Sequence, residues 1–210
     1  MYALLSVFAV FLLLSVSELC WRKRWFANDS ELGRKFVHVT VGSFVAFWPF
    51  FLSWGQIRLL SLAFLLVVSI SKWLKIFRAI HSVQRPTYGE ISFALVVGAL
   101  TFVTHSKAIY AVALLQMSLA DGLAAVVGVR FGRKNTYYIW GHAKSLAGTL
   151  TFMVTSLALL AGYSLRSGNH LSVLVMGLSA LFAALVENVA ILGLDNLIVP
   201  LCIGLLLTSL

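Results

Sequence analysis

The feature that most constrains this chain is a succession of apolar stretches at about residues 1–20, 36–54, 56–71, 90–105, 108–129, 145–165, 171–192 and 196–210, separated by short connections that hold most of the charge. A helix needs about 20 apolar residues to cross roughly 30 Å of hydrocarbon. The pattern therefore predicts an all-α, polytopic transmembrane helical bundle. The last stretch reaches only about 22 Å at 1.5 Å per residue, so seven to eight spans are expected. Composition agrees: 60% of residues are apolar and 11% charged, where a soluble domain carries roughly 25% charged residues. So little polar surface excludes soluble, disordered, fibrous and nucleic-acid-binding classes. No repeat or low-complexity tract divides residues 1–210, which read as one integral-membrane domain.

The first stretch has no basic residue before it and no small-residue cleavage site after it, and Trp21, Arg22, Lys23, Arg24 and Trp25 follow at once. It reads as a retained span. Of the 16 Lys and Arg, thirteen fall in the connections after the first, third and fifth stretches, whereas Arg58, Lys107 and Arg166 occupy the opposite side. The positive-inside rule then makes the basic side cytoplasmic and places the N-terminus outside. Residues 72–85 alternate Trp73, Ile76, Phe77, Ile80 and Val83 with Lys72, Lys75, Arg78 and Arg85, the pattern of an amphipathic helix lying on the membrane surface or of an extension of the third span. The two cysteines, Cys20 and Cys202, cannot build a disulfide framework, and the five histidines form no pair at zinc-ligand spacing.

A carboxylate within the membrane is costly and marks a partner or a wet cavity. Glu18, Asp29 and Glu31 border the first basic connection, which leaves Glu90, Asp121, Glu187 and Asp195. The predicted topology turns all four toward the basic, cytoplasmic half. Acids beside cations suit a metal-bound polyphosphate, with hard oxygens for Mg²⁺ and ammonium or guanidinium donors for phosphate. The other reading is that the acids only pair with nearby Arg and Lys to hold helices together.

The densest group is Asp121, Ala124, Gly128 and Gly132 on one helical face, then Arg133 and Lys134, then Lys144, Ser145 and Gly148. Gly128 and Gly132 alone would mean helix packing; the acid and the flanking cations point further. Ala143 where the motif needs Gly, and no Gly five residues earlier, exclude a Walker A loop. Lys144, with Ser145 as N-cap, is expected to present a helix N-terminus and an ammonium to phosphate. A second group sets Arg34, His38 and Gly42 on one stripe with Lys35 adjacent, for anion contact or proton handling. A third is Glu187-Asn188, then Asp195-Asn196 and Pro200, where Asn supplies neutral oxygens and Pro200 is expected to break a helix.

At these residues the sequence resembles the CTP-dependent lipid-alcohol kinases, namely dolichol kinase, phytol kinase and the related polyprenol and diacylglycerol kinases. Their D-x-x-A-x-x-x-G-x-x-x-G pattern with a following K-[KST]-x-x-G is matched by Asp121, Ala124, Gly128, Gly132, Lys144, Ser145 and Gly148; their R-K-x-x-H by Arg34, Lys35 and His38; and their late E and D-N-x-x-V-P by Glu187, Asp195, Asn196, Val199 and Pro200. Ala143 and Ala147 stand where the family often has Lys and Glu. Phosphatidate cytidylyltransferases share the central pattern, but their late basic signature is missing, since no Lys or Arg follows residue 170.

The resemblance implies transfer of the γ-phosphoryl group of CTP to the hydroxyl of a lipid alcohol such as phytol, dolichol or another polyprenol. It implies Asp121 on Mg²⁺, with Asp195 and Asn196 as a second contribution, and Lys144, Arg133 and Lys134 on the phosphates. Arg34 and Lys35 would meet developing charge, and Glu90 or Glu187 would orient or deprotonate the alcohol. The site is expected at the cytoplasmic face of a bacterial plasma membrane or an organellar membrane, with membrane lipids and no nucleic acid as further partners. Acceptor identity and oligomeric state are left open. An ion-coupled transporter is the non-enzymatic alternative, and it predicts acids through the full membrane depth.

Overall fold

A computed structural model of the protein describes residues 1–23, 30–74 and 88–210. Among them are nine α-helices: α1 (Tyr2–Arg22), α2 (Ser30–Ala46), α3 (Trp54–Leu74), α4 (Gly89–Val103), α5 (Lys107–Leu115), α6 (Asp121–Phe131), α7 (Leu146–Ser167), α8 (Val173–Val189) and α9 (Asp195–Ser209). Each apolar stretch of the sequence yields helix, and the helical class expected is the one adopted. Most of the basic segment 72–85 lies outside the described residues.

Helix ends follow local chemistry. Ser106, Ser145 and Ser172 are N-caps whose side chains accept from the amides of Ile109, Gly148 and Val175. Gly168, at φ 74°, closes α7 in the left-handed conformation that suits glycine. The second apolar stretch does not stay helical to residue 54. Its helix stops at Ala46, and Pro49 lies in the first positions of a separate 3₁₀ turn over Trp48–Phe50, because proline cannot donate to a preceding turn. Pro200, by contrast, sits inside a continuous α9 and does not break it.

Two rods are long and apolar enough by themselves to cross a membrane: Lys107–Lys134, which joins α5 and α6, and Leu146–Ser167. Tyr2–Ser17, Trp54–Ile70, Gly89–Val103, Val173–Val189 and Asp195–Ser209 are shorter apolar helices. The first rod is the core of the bundle, with α2, α7 and α9 packed around it and α4 held between α3 and α9. Tyr110, Leu114, Met117, Leu100, Phe152 and Ile203 are fully buried there. At the end opposite the carboxylates, Arg58 donates to the Thr101 hydroxyl (2.9 Å) and carbonyl (3.1 Å) and lies over Phe102, tying α3 to α4.

Between α6 and α7 the chain forms a two-stranded antiparallel hairpin, β1 (Thr136–Ile139) and β2 (His142–Ser145). Its two-residue turn is Trp140-Gly141, both at positive φ (51° and 77°), the twist that a tight hairpin requires. Lys144, expected at the start of a span, therefore belongs to a strand.

Candidate functional site

α5 passes into α6 through a π-helical turn, Gln116–Ala120, and Asp121 is the first residue after it. Such turns are wider than the α-helix and recur at functional sites. Asp121 is buried, and a charge in that position needs a partner. Lys35, itself buried on α2, supplies one, its Nζ donating to Asp121 Oδ2 at 2.5 Å. One turn along α2, His38 Nε2 lies 3.1 Å from the Met117 carbonyl and 3.6 Å from Asp121 Oδ2. A carbonyl only accepts, so the contact makes Nε2 the protonated nitrogen. Gly42 lets α2 come this close, since a Cβ there would stand 2.5 Å from Ser118 Cβ. Arg34, half-buried, precedes Lys35.

The second cation comes from the hairpin. Lys144 Nζ donates to Glu187 Oε1 at 2.5 Å and to the Glu187 carbonyl at 3.1 Å, in the last turn of α8, where a helix dipole favours positive charge. Burial opposes the charge on Lys144, but the carboxylate of Glu187, aided by Asp195 and Asp121, outweighs it and holds the ammonium above its usual pKa. Beside this pair, the Tyr137 hydroxyl bonds to Thr149 Oγ1 of α7 (2.5 Å) and to Asn188 Oδ1 of α8.

The third acid arrives by a sharp turn. Between α8 and α9 the backbone runs through Leu192 (φ 59°) and Gly193 (φ 86°). For leucine this is a strained conformation costing about 1–2 kcal/mol. The turn brings Asp195 back beside Glu187, and one oxygen from each of Asp121, Glu187 and Asp195 lies within 4.8 Å of the others. Asp195 Oδ1 is buried without a hydrogen-bond partner. Three hard oxygen donors, one of them orphaned, suit a small divalent cation such as Mg²⁺. Asn196 donates to the Gly89 carbonyl at 3.1 Å, and the Tyr88 amide donates to the Leu192 carbonyl at 2.9 Å, so the start of α4 is tied to the same corner.

The structure thus brings together Lys35, His38, Asp121, Lys144, Glu187 and Asp195. Other residues singled out by sequence are placed differently. Ala124, Gly128, Gly132, Ser145 and Gly148 meet one another where α6 crosses α7: a Cβ on Gly148 would lie 3.1 Å from the Ala124 carbonyl, and one on Gly128 3.0 Å from Ser145 Oγ. They build a close crossing that seats the hairpin beside Asp121. The start of α7 is partly used within the protein, since Ser145 Oγ accepts from the Gly148 amide and the Leu146 amide donates to the Asn135 carbonyl. Arg133 and Lys134 are exposed, and Arg133 lines an outer groove with Val126, Val129 and Arg130. Glu90 is half-exposed in the first turn of α4.

Sequence reasoning overlooked the hairpin and Tyr137. The signal was present: Thr136, Tyr137, Tyr138 and Ile139 are strand-forming types immediately before a Trp-Gly turn.

Comparison with known proteins places the chain 37% identical, over 182 residues, to a protein of Synechocystis sp. named phytol kinase, covering 83% of this chain and 77% of that one. No family model and no solved structure matches.

Proposed function

Because the chain belongs to the phytol kinase family, we propose that it is a membrane-embedded lipid-alcohol kinase. It would transfer the γ-phosphoryl group of CTP to the hydroxyl of phytol, dolichol or another long isoprenoid alcohol. The observation that carries this reading is the convergence of Asp121, Glu187 and Asp195, from three separate helices, on one spot edged by Lys35 and Lys144.

Phosphoryl transfer depends mainly on positioning and on neutralising charge. Asp121, Glu187 and Asp195 would hold Mg²⁺, which supplies charge neutralisation at the phosphates. Lys35 and Lys144, each bonded to a carboxylate at the edge of the cluster, would meet the phosphate oxygens. His38 donates to the Met117 carbonyl and keeps the π turn, and with it Asp121, in register. The alcohol oxygen forms the new bond to phosphorus, its proton passes to a carboxylate, and the nucleoside diphosphate leaves with the electron pair. Glu187 or Glu90 would be that carboxylate, Glu187 only where Asp121 and Asp195 hold the cation, since it is also paired with Lys144.

A multi-pass arrangement is supported by the exposed surface, and a site at the cytoplasmic face by the placement of the basic residues in the sequence. Leu4, Phe8 and Phe11 of α1, Leu59, Leu62 and Leu66 of α3, and Val173, Leu174 and Leu178 of α8 all point outward. A water-soluble protein avoids apolar surface on that scale, whereas lipid accepts it.

The test is phosphorylation of phytol, dolichol or farnesol by the purified protein in detergent with Mg²⁺, comparing labelled CTP with ATP. Wild type should label an alcohol and Asp121→Asn should not. No labelled lipid with either nucleotide, or an active Asp121→Asn, would refute the reading.

A further inference from the structure

Lys144 is a long, flexible side chain on a two-stranded hairpin, a motif that is marginal by itself. Its place at the cluster therefore depends on what holds the hairpin. The base of the hairpin is tied down by Thr136 Oγ1 donating to the Gly132 carbonyl (2.9 Å) and by the bond from the Leu146 amide to the Asn135 carbonyl (3.0 Å). Among the described residues, side-chain bonds from the hairpin to α8 come from Tyr137 and Lys144.

These two residues are direct cross-strand partners, so their side chains leave the same face of the hairpin. They meet two consecutive residues of α8, Tyr137 reaching Asn188 and Lys144 reaching Glu187. The Asn188 amide is oriented at its other end, where Nδ2 donates to the Ala184 carbonyl at 2.8 Å, which leaves Oδ1 as a fixed acceptor. Thr149 Oγ1 lies 3.3 Å from the same oxygen. Two hydroxyl protons serve the three contacts among Tyr137, Thr149 and Asn188, so the group is a hydrogen-bonded chain rather than a closed ring.

We propose that Tyr137 is a positioning residue: by pinning the hairpin to Thr149 and Asn188, it holds the Lys144 ammonium at the carboxylate cluster and so sets the affinity for the phosphate donor. The proposal rests on the kinase reading above, in which Lys144 faces the phosphates of CTP.

Steady-state kinetics and amide hydrogen exchange on the full chain in detergent, with Mg²⁺, CTP and phytol, test it. Tyr137→Phe removes one hydroxyl and keeps the ring. It should raise KM for CTP about five- to tenfold, the value of one hydrogen bond, leave kcat and KM for phytol within about twofold, and speed exchange over residues 136–145. Thr149→Val, which loosens the same chain from α7, should act in the same direction. Lys144→Met should raise KM for CTP at least as much, and adding Tyr137→Phe to it should change nothing more. If Lys144→Met raises KM for CTP while Tyr137→Phe leaves it and the exchange rates unaltered, the positioning role is overturned and the reading of Lys144 stands. If Tyr137→Phe lowers kcat alone, the role is likewise overturned. If Lys144→Met does not alter KM for CTP, the reading of Lys144 fails and the proposal fails with it.

Discussion

Asp195 offers the sharpest physical test of the carboxylate cluster. Asp121 is paired with Lys35 and Glu187 with Lys144, whereas Asp195 keeps a buried oxygen with no partner. At 4.8 Å, the widest spacing among the three oxygens, two unit charges repel by about 3.5 kcal/mol at an effective dielectric constant of about 20. Burial adds to the cost of the Asp195 charge, while Lys35 and Lys144 offset much of the repulsion, which leaves about 1–2 kcal/mol against the charge. Asp195→Asn removes that charge without changing shape. In the absence of divalent cation it should raise Tm by roughly 2–8 °C for a chain of this length. Wild type should gain stability from Mg²⁺ or Mn²⁺, about 2.7 kcal/mol at a hundredfold excess over Kd, and the variant should lose that gain together with transfer activity. Thermal unfolding in detergent, with chelator and with added cation, reads both quantities. A lower Tm for Asp195→Asn in chelator, or an undiminished shift with cation, would show that the cluster is not a cation site.

Two further predictions concern the hairpin and its seat. Gly148→Leu puts a side chain where even a Cβ would stand 3.1 Å from the Ala124 carbonyl; overpacking of this kind costs about 1–3 kcal/mol, so Tm should fall and KM for the donor should rise, whereas Gly162→Leu, at a position with open space around it, should do neither. Lys144 has a raised pKa in the folded chain because of Glu187, which outweighs the opposing effect of burial. Its contribution to stability is therefore complete below the unfolded value of about 10.4 and fades as pH rises through the higher folded value. The Tm difference between wild type and Lys144→Met should stay constant from about pH 7 to 9.5 and shrink beyond about 10.5, and a difference that shrinks already between pH 7 and 9 would contradict the assignment.

Much of this protein was legible in one dimension. Apolar stretches specify helices through composition alone, and Ser145 and Gly168 mark the ends of α7 by local hydrogen bonding and backbone freedom. The scarcity of acids in an apolar chain already narrows the candidates to Glu90, Asp121, Glu187 and Asp195, since burying a carboxylate is too costly without a purpose, and the fold brings the last three together. Proline was less readable. Pro49 stops helical structure near α2 while Pro200 is absorbed into α9, a difference that depends on what packs around each.

Only the folded chain decided which groups meet. Gly128, Gly132 and Gly148 have the same spacing whether they approach a phosphate or a neighbouring helix, and packing shows them at the crossing of α6 and α7. Arg133 and Lys134 follow Gly132, which shares the face of Asp121, yet stand exposed, because each successive helical residue turns by roughly 100° and one or two steps carry a side chain off a given face. Lys35 meets Asp121 across 86 positions and Lys144 meets Glu187 across 43. Charge pairing at such separations has no local signature: it arises from the way the helices stack.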